Sequence, residues 1–217
     1  MASDPAILAN GQWSPDQIDV IWRDDRYLPA DDLSRQADAK IEALRERGSP
    51  SHDGLAARLV QMTVKDDRLE LELQPARWSL RLVEHDTSNA VSSLCIVRRA
   101  DGAWLAGRRA LWLSTWAGRW ALGAGGAVEV GENPADTLSR ELLEEWSLVP
   151  ERLDVRVVVR NPSTMILVVG VAWLPEGADD NLVMDEEHDD HAWWPSDPAD
   201  WPAEADQPLR AMAELLA

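Results

Sequence analysis

Phenylalanine is absent from this chain, and tyrosine and cysteine occur once each, against twelve tryptophans. The lone Cys95 excludes an intramolecular disulfide and fits a reducing compartment. Its setting in the apolar run SSLCIV points to buried packing rather than reactivity. Long hydrophobic runs are also missing: the most apolar segment, Met165 to Leu174, is far too short to span a bilayer. The N-terminus, MASDPAILANG, has no basic region leading into an apolar stretch, so no signal peptide is expected and a cytoplasmic location is. Positive charge is scarce, with 21 Lys and Arg against 39 Asp and Glu and a net charge of −18. That balance argues against nucleic acid or an anionic membrane as partner. Internal repeats, low-complexity tracts and disordered linkers are not found. The bias towards tryptophan has no functional account.

What is present is enough for a globular core. Hydrophobic residues make up 45% of 217, a length that suits one large domain or a core domain with a smaller one attached. The chain is organised around Gly125 to Leu148, GGAVEVGENPADTLSRELLEEWSL. Asn133 is a good N-cap, Pro134 suits the first helical position, and Asp136 complements the positive helix end. Glu141, Glu144 and Glu145 then fall at i, i+3 and i+4, so three carboxylates share one helical face. Ala135, Leu138, Leu142 and Trp146 form a separate apolar stripe that can bury the helix. Ahead of it, Gly125, Gly126 and Gly131 let the backbone approach a ligand closely. Hard oxygen ligands in this arrangement suit Mg²⁺ or Mn²⁺ together with substrate phosphates. Arg140 can brace Glu144 from one turn away. The alternative for such a run is a solvated acidic face.

The remaining chain reads as an α+β protein. A strand is expected at Ile18 to Trp22. A helix starts at Asp31 or Asp32 with Leu33, Ala37, Ile41 and Leu44 on one face, closed by Gly48 and Pro50. Gly54 to Val64 is ambiguous. Arg68 to Leu73 alternates as a strand, with Trp78 to Val83 as its expected partner. Ala90 to Arg98 and Ala103 to Arg109 form a hairpin over Ala100-Asp101-Gly102. Leu111 to Gly118 is a tryptophan-bearing loop. Leu153 to Arg160 and Thr164 to Leu174 are apolar strands around Asn161-Pro162. An acidic loop spans Gly177 to His191, a short strand follows at His191 to Trp194, and Asp206 caps a helix over Pro208 to Leu216.

The order Gly126, Glu132, Arg140, Glu141, Leu142, Glu144, Glu145, Leu148 matches the Nudix box, GX5EX7REUXEEXGU with U a bulky aliphatic residue. The chain therefore resembles the Nudix hydrolases over roughly residues 88 to 217. Ser147 stands where the family has glycine, and tolerates a positive φ less well. The resemblance implies a Nudix α/β/α sandwich with a mixed sheet at 88–217 and an accessory α+β segment at 1–87. The form of that segment resembles the N-terminal region of nucleotide-sugar-cleaving members, and it is a candidate homodimer interface.

Nudix enzymes cleave a diphosphate linked to another group, and the resemblance carries roles onto matching positions. Glu141, Glu144 and Glu145, with a carbonyl of Gly125 or Gly126, would hold Mg²⁺ or Mn²⁺. Glu132 and Arg140 would orient that set, and Glu141 or Glu145 would take the proton of the attacking water. Glu187, in the loop Asp185 to Asp190, is the candidate extra ligand or base. His188 and His191 are read as surface histidines rather than ligands. Arg108, Arg109 and Arg119 are the candidate phosphate contacts. Trp112, Trp116 and Trp120 can stack a base or sugar, although packing is expected for at least two.

The expected substrate is a small nucleoside diphosphate linked to X, of the nucleotide-sugar or ADP-ribose type. The alternatives are a MutT-like nucleoside triphosphate hydrolase and a non-catalytic nucleotide-binding module. An isopentenyl diphosphate isomerase is rejected, because RWALGAGGAVEVGE contains neither the cysteine nor the histidines that reaction needs.

Overall fold

A computed structural model describes residues 5–49, 53–83, 89–113, 115–162 and 164–216. Eleven strands run through these residues in chain order. They are β1 (Ala6–Trp13), β2 (Ile18–Trp22), β3 (Leu55–Lys65), β4 (Arg68–Arg77), β5 (Val91–Arg98), β6 (Trp104–Arg109), β7 (Trp120–Leu122), β8 (Ala124–Ala127), β9 (Arg152–Arg160), β10 (Ile166–Trp173) and β11 (His188–Trp194). Three α-helices accompany them: α1 (Asp31–Glu46), α2 (Pro134–Trp146) and α3 (Gln207–Leu216).

The large sheet is mixed, in the order β1-β9-β10-β5-β6-β11, with β7 on β6 and β8 on β5. Its central pair, β10 and β5, is parallel, and the other pairs are antiparallel. Successive residues of a strand face opposite sides, and the two helices that cover this sheet divide on that alternation. Cys95 and Val97 of β5 and Val168 and Ala172 of β10 pack with Leu138, Leu142 and Trp146 of α2. Ile96, Val169 and Val171, on the intervening positions, pack with Leu209, Ala213 and Leu216 of α3. Gly170 belongs to this packing: a Cβ there would meet Leu138 Cδ1 at 2.5 Å. The result is the expected α/β/α sandwich. Much of the tryptophan lies under α3, where Trp104, Trp194 and Trp201 stack edge to face or tilted.

The small sheet has the order β2-β4-β3, with β2 parallel and β3 antiparallel to β4. Helix α1 buries Ala37, Ile41 and Leu44, three of the four expected positions, while Leu33 is half-buried. Its N-cap is Ala30, which offers no side-chain bond; Asp31 and Asp32 occupy the first turn. Gly48 closes the helix at φ 76°, while Pro50 lies outside the described residues.

Two sequence expectations are corrected here. Trp78 to Val83 is not the partner strand of β4; Trp78–Leu82 is a 3₁₀ turn, and β4 pairs with β3, the stretch left ambiguous. The apparent alternation fails because Asp53 Oδ1 accepts the Ser79 N–H at 3.0 Å and turns the chain away from the ladder. The last strand begins at His188 rather than His191, because His188 already pairs with Arg109.

The small sheet is fastened to the box loop. Trp22 Nε1 donates to the Glu132 carbonyl at 3.1 Å, and Asn133 Nδ2 donates to the Ile18 carbonyl at 3.0 Å. Ala56 bridges Glu129, and the Ala57 N–H donates to the Val128 carbonyl at 2.8 Å. The boundary expected at 87/88 lies outside the described residues, and β1 joins the large sheet through β9. No helix among the described residues is long and apolar enough to cross a membrane.

Candidate active site

The site is built on the step from β8 into α2. Asn133 Oδ1 accepts the Ala135 N–H at 3.0 Å, capping a helix that starts with Pro134. The helix ends at Ser147, whose φ of 55° is left-handed and whose N–H returns to the Leu142 and Leu143 carbonyls. The serine thus adopts the conformation expected of the glycine it replaces.

Arg140 organises the acidic face. Its Nε lies 2.8 Å from Glu132 Oε1, and its Nη1 lies 2.7 Å from Glu141 Oε1 and 3.0 Å from Glu144 Oε2. Nη2 also donates to the Ala127 carbonyl at 3.3 Å. These carboxylates hold the guanidinium charge more firmly than usual, Glu132 foremost. Burial works to raise the Glu132 pKa, but Arg140, the Glu129 N–H and Thr137 outweigh it and hold Glu132 below the usual range. Glu132 is thus a satisfied, ionised strut.

The carboxylates beyond Arg140 are different. Glu145 is buried, and its Oε1 accepts the Gly125 N–H at 2.9 Å, while Oε2 has no hydrogen-bond partner among the described residues. Burial pushes its pKa well up, and the negative charges of Glu141, Glu187 and Asp185 add to the rise. Burial also raises Glu141 against the pull of Arg140. Burial raises Glu187 against the pull of Arg109, whose Nη2 lies 3.3 Å from Glu187 Oε2. Glu187 therefore belongs to the same electrostatic cluster as Glu141 and Glu145, although it arrives from the loop before β11. Glu144 is exposed, with Arg140 beside it.

Gly126 leaves the space this cluster occupies: a Cβ there would sit 2.1 Å from Glu141 Oε1. Among the described residues no three His, Cys, Asp or Glu side chains stand ready to hold a metal in this conformation. The donor set nevertheless suits a hard divalent cation. It is all oxygen, crowds Glu141, Glu144, Glu145 and Glu187 together with Arg140 and Arg109, and includes a buried carboxylate oxygen without a hydrogen-bond partner among the described residues.

His188 is corrected from a surface residue to a buried one. Its ring tilts on Trp146 at 4.4 Å between centroids, and its Nε2 lies 3.9 Å from Glu145 Oε2. Burial lowers its pKa, against Asp185, whose Oδ1 lies 3.3 Å from Nδ1. Gly107 makes room for this stack, since a Cβ there would meet His188 at 2.5 Å and Trp146 at 2.6 Å. His191 is exposed, as expected.

Of the three arginines singled out, Arg109 joins the carboxylate cluster. Arg108 pairs with Asp189 at 2.6 Å, and Arg119 pairs with Asp206 at the start of α3. Trp120 packs on Trp194, while Trp112 and Trp116 are exposed on the β6–β7 loop. Cys95 is buried, which drives its pKa far up and leaves an inert thiol.

Sequence reasoning missed Arg81. Its Nη2 donates to the Val91 carbonyl at 3.2 Å, and its Nε is buried without a hydrogen-bond partner among the described residues. Burial lowers its pKa to about 10, and the Glu141 charge opposes the shift, so this cation from the small α+β unit faces the box. Nothing local to Arg81 in the sequence signals that meeting.

The geometry can be set beside known proteins. A family model described as NUDIX domain matches residues 88–216. Among curated proteins no relative matches. A MutT NUDIX hydrolase from Burkholderia pseudomallei is similar at 23% identity and TM-score 0.49, over 59% of this chain and 98% of that one. The NUDIX domain of Shewanella oneidensis NrtR, solved with ADP ribose, is similar at 20% identity and TM-score 0.46, over 60% and 90%. A bifunctional NMN adenylyltransferase/ADP ribose pyrophosphatase from Francisella tularensis, solved with AMP and a manganese ion, is similar at 18% identity and TM-score 0.43, over 59% and 41%.

Proposed function

This chain belongs to the Nudix family, hydrolases of phosphorus-containing acid anhydrides, and from that premise we propose that it is a metal-dependent pyrophosphohydrolase acting on a nucleoside diphosphate linked to X. Residues 88–217 form the catalytic domain in this reading and residues 1–87 an accessory segment. The observation that carries it is the buried Glu145 carboxylate, which feels the charges of Glu141 and Glu187 and has one oxygen without a hydrogen-bond partner among the described residues. A cluster like that is costly for a fold to keep unless a cation completes it.

Glu141, Glu144 and Glu145, with the Gly126 carbonyl, would hold Mg²⁺ or Mn²⁺, which when bound neutralises phosphate oxygens and acidifies water. The chain's own residues do the rest. Glu132 and Arg140 fix the rotamer of Glu141 through the ion pairs described above. A carboxylate raised towards neutrality is suited to take a proton from the attacking water, and Glu141, Glu145 and Glu187 share that property. Arg109, held by two long contacts, to Glu187 at 3.3 Å and to the Thr115 carbonyl at 3.4 Å, is the cation best able to turn to a substrate phosphate. Arg108 and Arg119 are already compensated by Asp189 and Asp206. Cleavage of the phosphoanhydride by water would release a nucleoside monophosphate and the phosphate of X.

A nucleotide sugar or ADP-ribose type of substrate is favoured, because the β2–β4–β3 unit is fastened to the box loop by Trp22, Asn133, Ala56 and Ala57 and can shape what enters. The test is product release from UDP-glucose, ADP-ribose, diadenosine polyphosphates, NADH, coenzyme A and 8-oxo-dGTP with Mg²⁺, alongside Glu145→Gln. Metal-dependent turnover of one diphosphate that the variant abolishes is expected. Turnover confined to 8-oxo-dGTP would favour the MutT-like alternative, and no turnover at all the binding-module one.

A further inference from the structure

The small α+β unit presents a side chain to the box that none of the catalytic roles uses. A cleft of about 200 Å³ lies between the two units, lined by Leu55, Ala56 and Trp78 on one side and Glu129, Arg140 and Glu141 on the other. Its size decides what it can hold. Sites for whole drug-sized ligands run to about 300–1,000 Å³, so this one takes a single ring system rather than a complete nucleotide. Its charge decides further. Glu129 repels an anion, and Arg140 is occupied by Glu132, Glu141 and Glu144. An uncharged ring with N–H donors fits, and a second phosphate does not.

The Trp78 wall is fixed in advance. The Trp78 N–H donates to the Gly54 carbonyl at 2.9 Å, and the next residue, Ser79, donates its N–H to Asp53. Arg77 ties Asp53 and Asp38 together, the latter at 2.6 Å, and so anchors the turn to α1. The Arg81 guanidinium lies 5.4 Å from the Trp78 ring centre, so the ring is buttressed by a cation. Opposite, Ala56 bridges Glu129, which holds the two walls in register. Leu55, 44% exposed, lines the same cleft as Trp78 and gives it an apolar rim.

We propose that this cleft is the nucleobase subsite: the ring stacks on Trp78, and its N–H groups donate to the Glu129 carboxylate, while the diphosphate lies along Glu141 and Glu145. Trp78 is then a substrate-binding residue supplied by the N-terminal segment, and Arg81 a positioning residue behind it. The inference rests on the hydrolase reading for the place of the diphosphate. It stands apart from that reading in what it says of the ring.

Calorimetric titration with AMP, GMP, CMP and UMP in Mg²⁺, with ribose 5-phosphate as the base-free probe, tests it without turnover. At least one nucleoside monophosphate should bind about tenfold or more tighter than ribose 5-phosphate, the magnitude of one base–aromatic stack. Trp78→Ala should erase that difference, Trp78→Phe should keep most of it, and Glu129→Gln should change the ranking among the four bases. Circular dichroism melting of each variant checks folding, and Trp78→Phe and Glu129→Gln carry the test if Trp78→Ala does not fold. Equal binding of all five probes, or a base preference unmoved by Trp78→Phe, Trp78→Ala and Glu129→Gln alike, would overturn the proposal. Failure of the hydrolase reading looks different: binding and base preference persist, with no diphosphate turned over.

Discussion

Two clusters of carboxylates in this molecule use the same chemistry to opposite ends. At the base of the small sheet, Arg77 stands between Asp38 and Asp53, and Asp53 also accepts the Ser79 N–H. Burial works to raise Asp53, but these partners outweigh it and hold its pKa below the ordinary value. At the box, burial raises Glu141, Glu145 and Glu187, and the opposing pull of Arg140 on Glu141 and of Arg109 on Glu187 does not reverse it. The first cluster is closed and serves the fold. The second is left open, and an open buried carboxylate is a cost that only a ligand relieves.

The largest break in that comparison is Glu145→Gln. Turnover should fall about a thousandfold, equivalent to roughly 4 kcal/mol of transition-state stabilisation. The same change should raise the melting temperature of the metal-free protein, because it removes a buried charge without disturbing the bond from the Gly125 N–H. A steady-state assay and a thermal melt on one preparation read both signs.

Metal should sharpen the contrast next. A hundredfold excess over its dissociation constant should stabilise the fold by about 2.7 kcal/mol. The sign with pH follows from the raised carboxylates. A carboxyl whose folded pKa lies above its unfolded one adds stability that is fully present below the unfolded value, about 4.3, and lost as pH rises through the folded value. Metal-free protein should therefore lose stability on that rise, and the gain from Mg²⁺ should be larger at about pH 8 than at about pH 5. Differential scanning fluorimetry across pH, with Mg²⁺ or with a chelator, checks both; a gain independent of pH would mean the cluster is not the metal site.

The closed cluster should respond the other way. Asp53→Asn should cost about 2 kcal/mol by urea unfolding, the scale of a hydrogen bond to a charged group. Asp53 has a folded pKa below its unfolded one, so its contribution is present above about pH 3.9 and lost as pH falls through the folded value. The variant should show a shallower loss of stability in acid than the parent.

The smallest expected effect lies at the C-terminal end of the box helix. Ser147 holds a left-handed φ of 55° without glycine's freedom. Ser147→Gly should raise stability by about 0.5–1 kcal/mol, read as a shift in urea midpoint at unchanged slope.

The sequence by itself determined the box helix, its cap at Asn133 and its apolar stripe, because those depend on residues three and four apart. It also determined that Glu141, Glu144 and Glu145 share a face, and it singled out Glu187 from its place in the acidic loop before β11. The alternation of apolar strands was enough to announce a mixed sandwich. Only the tertiary structure decided which carboxylates are compensated. Arg140 reaches Glu132 across eight residues, but Arg81, Asp185 and His188 reach Glu141 and Glu145 only because one sheet pairs β8 with β5 and β11 with β6. It also turned Trp78–Leu82 from an apparent strand into the wall of a cleft, because Asp53 captures one backbone N–H. Local pattern fixes which way a side chain points on its own element. Burial and long-range charge, which set what that side chain can do, exist only once distant segments have packed together.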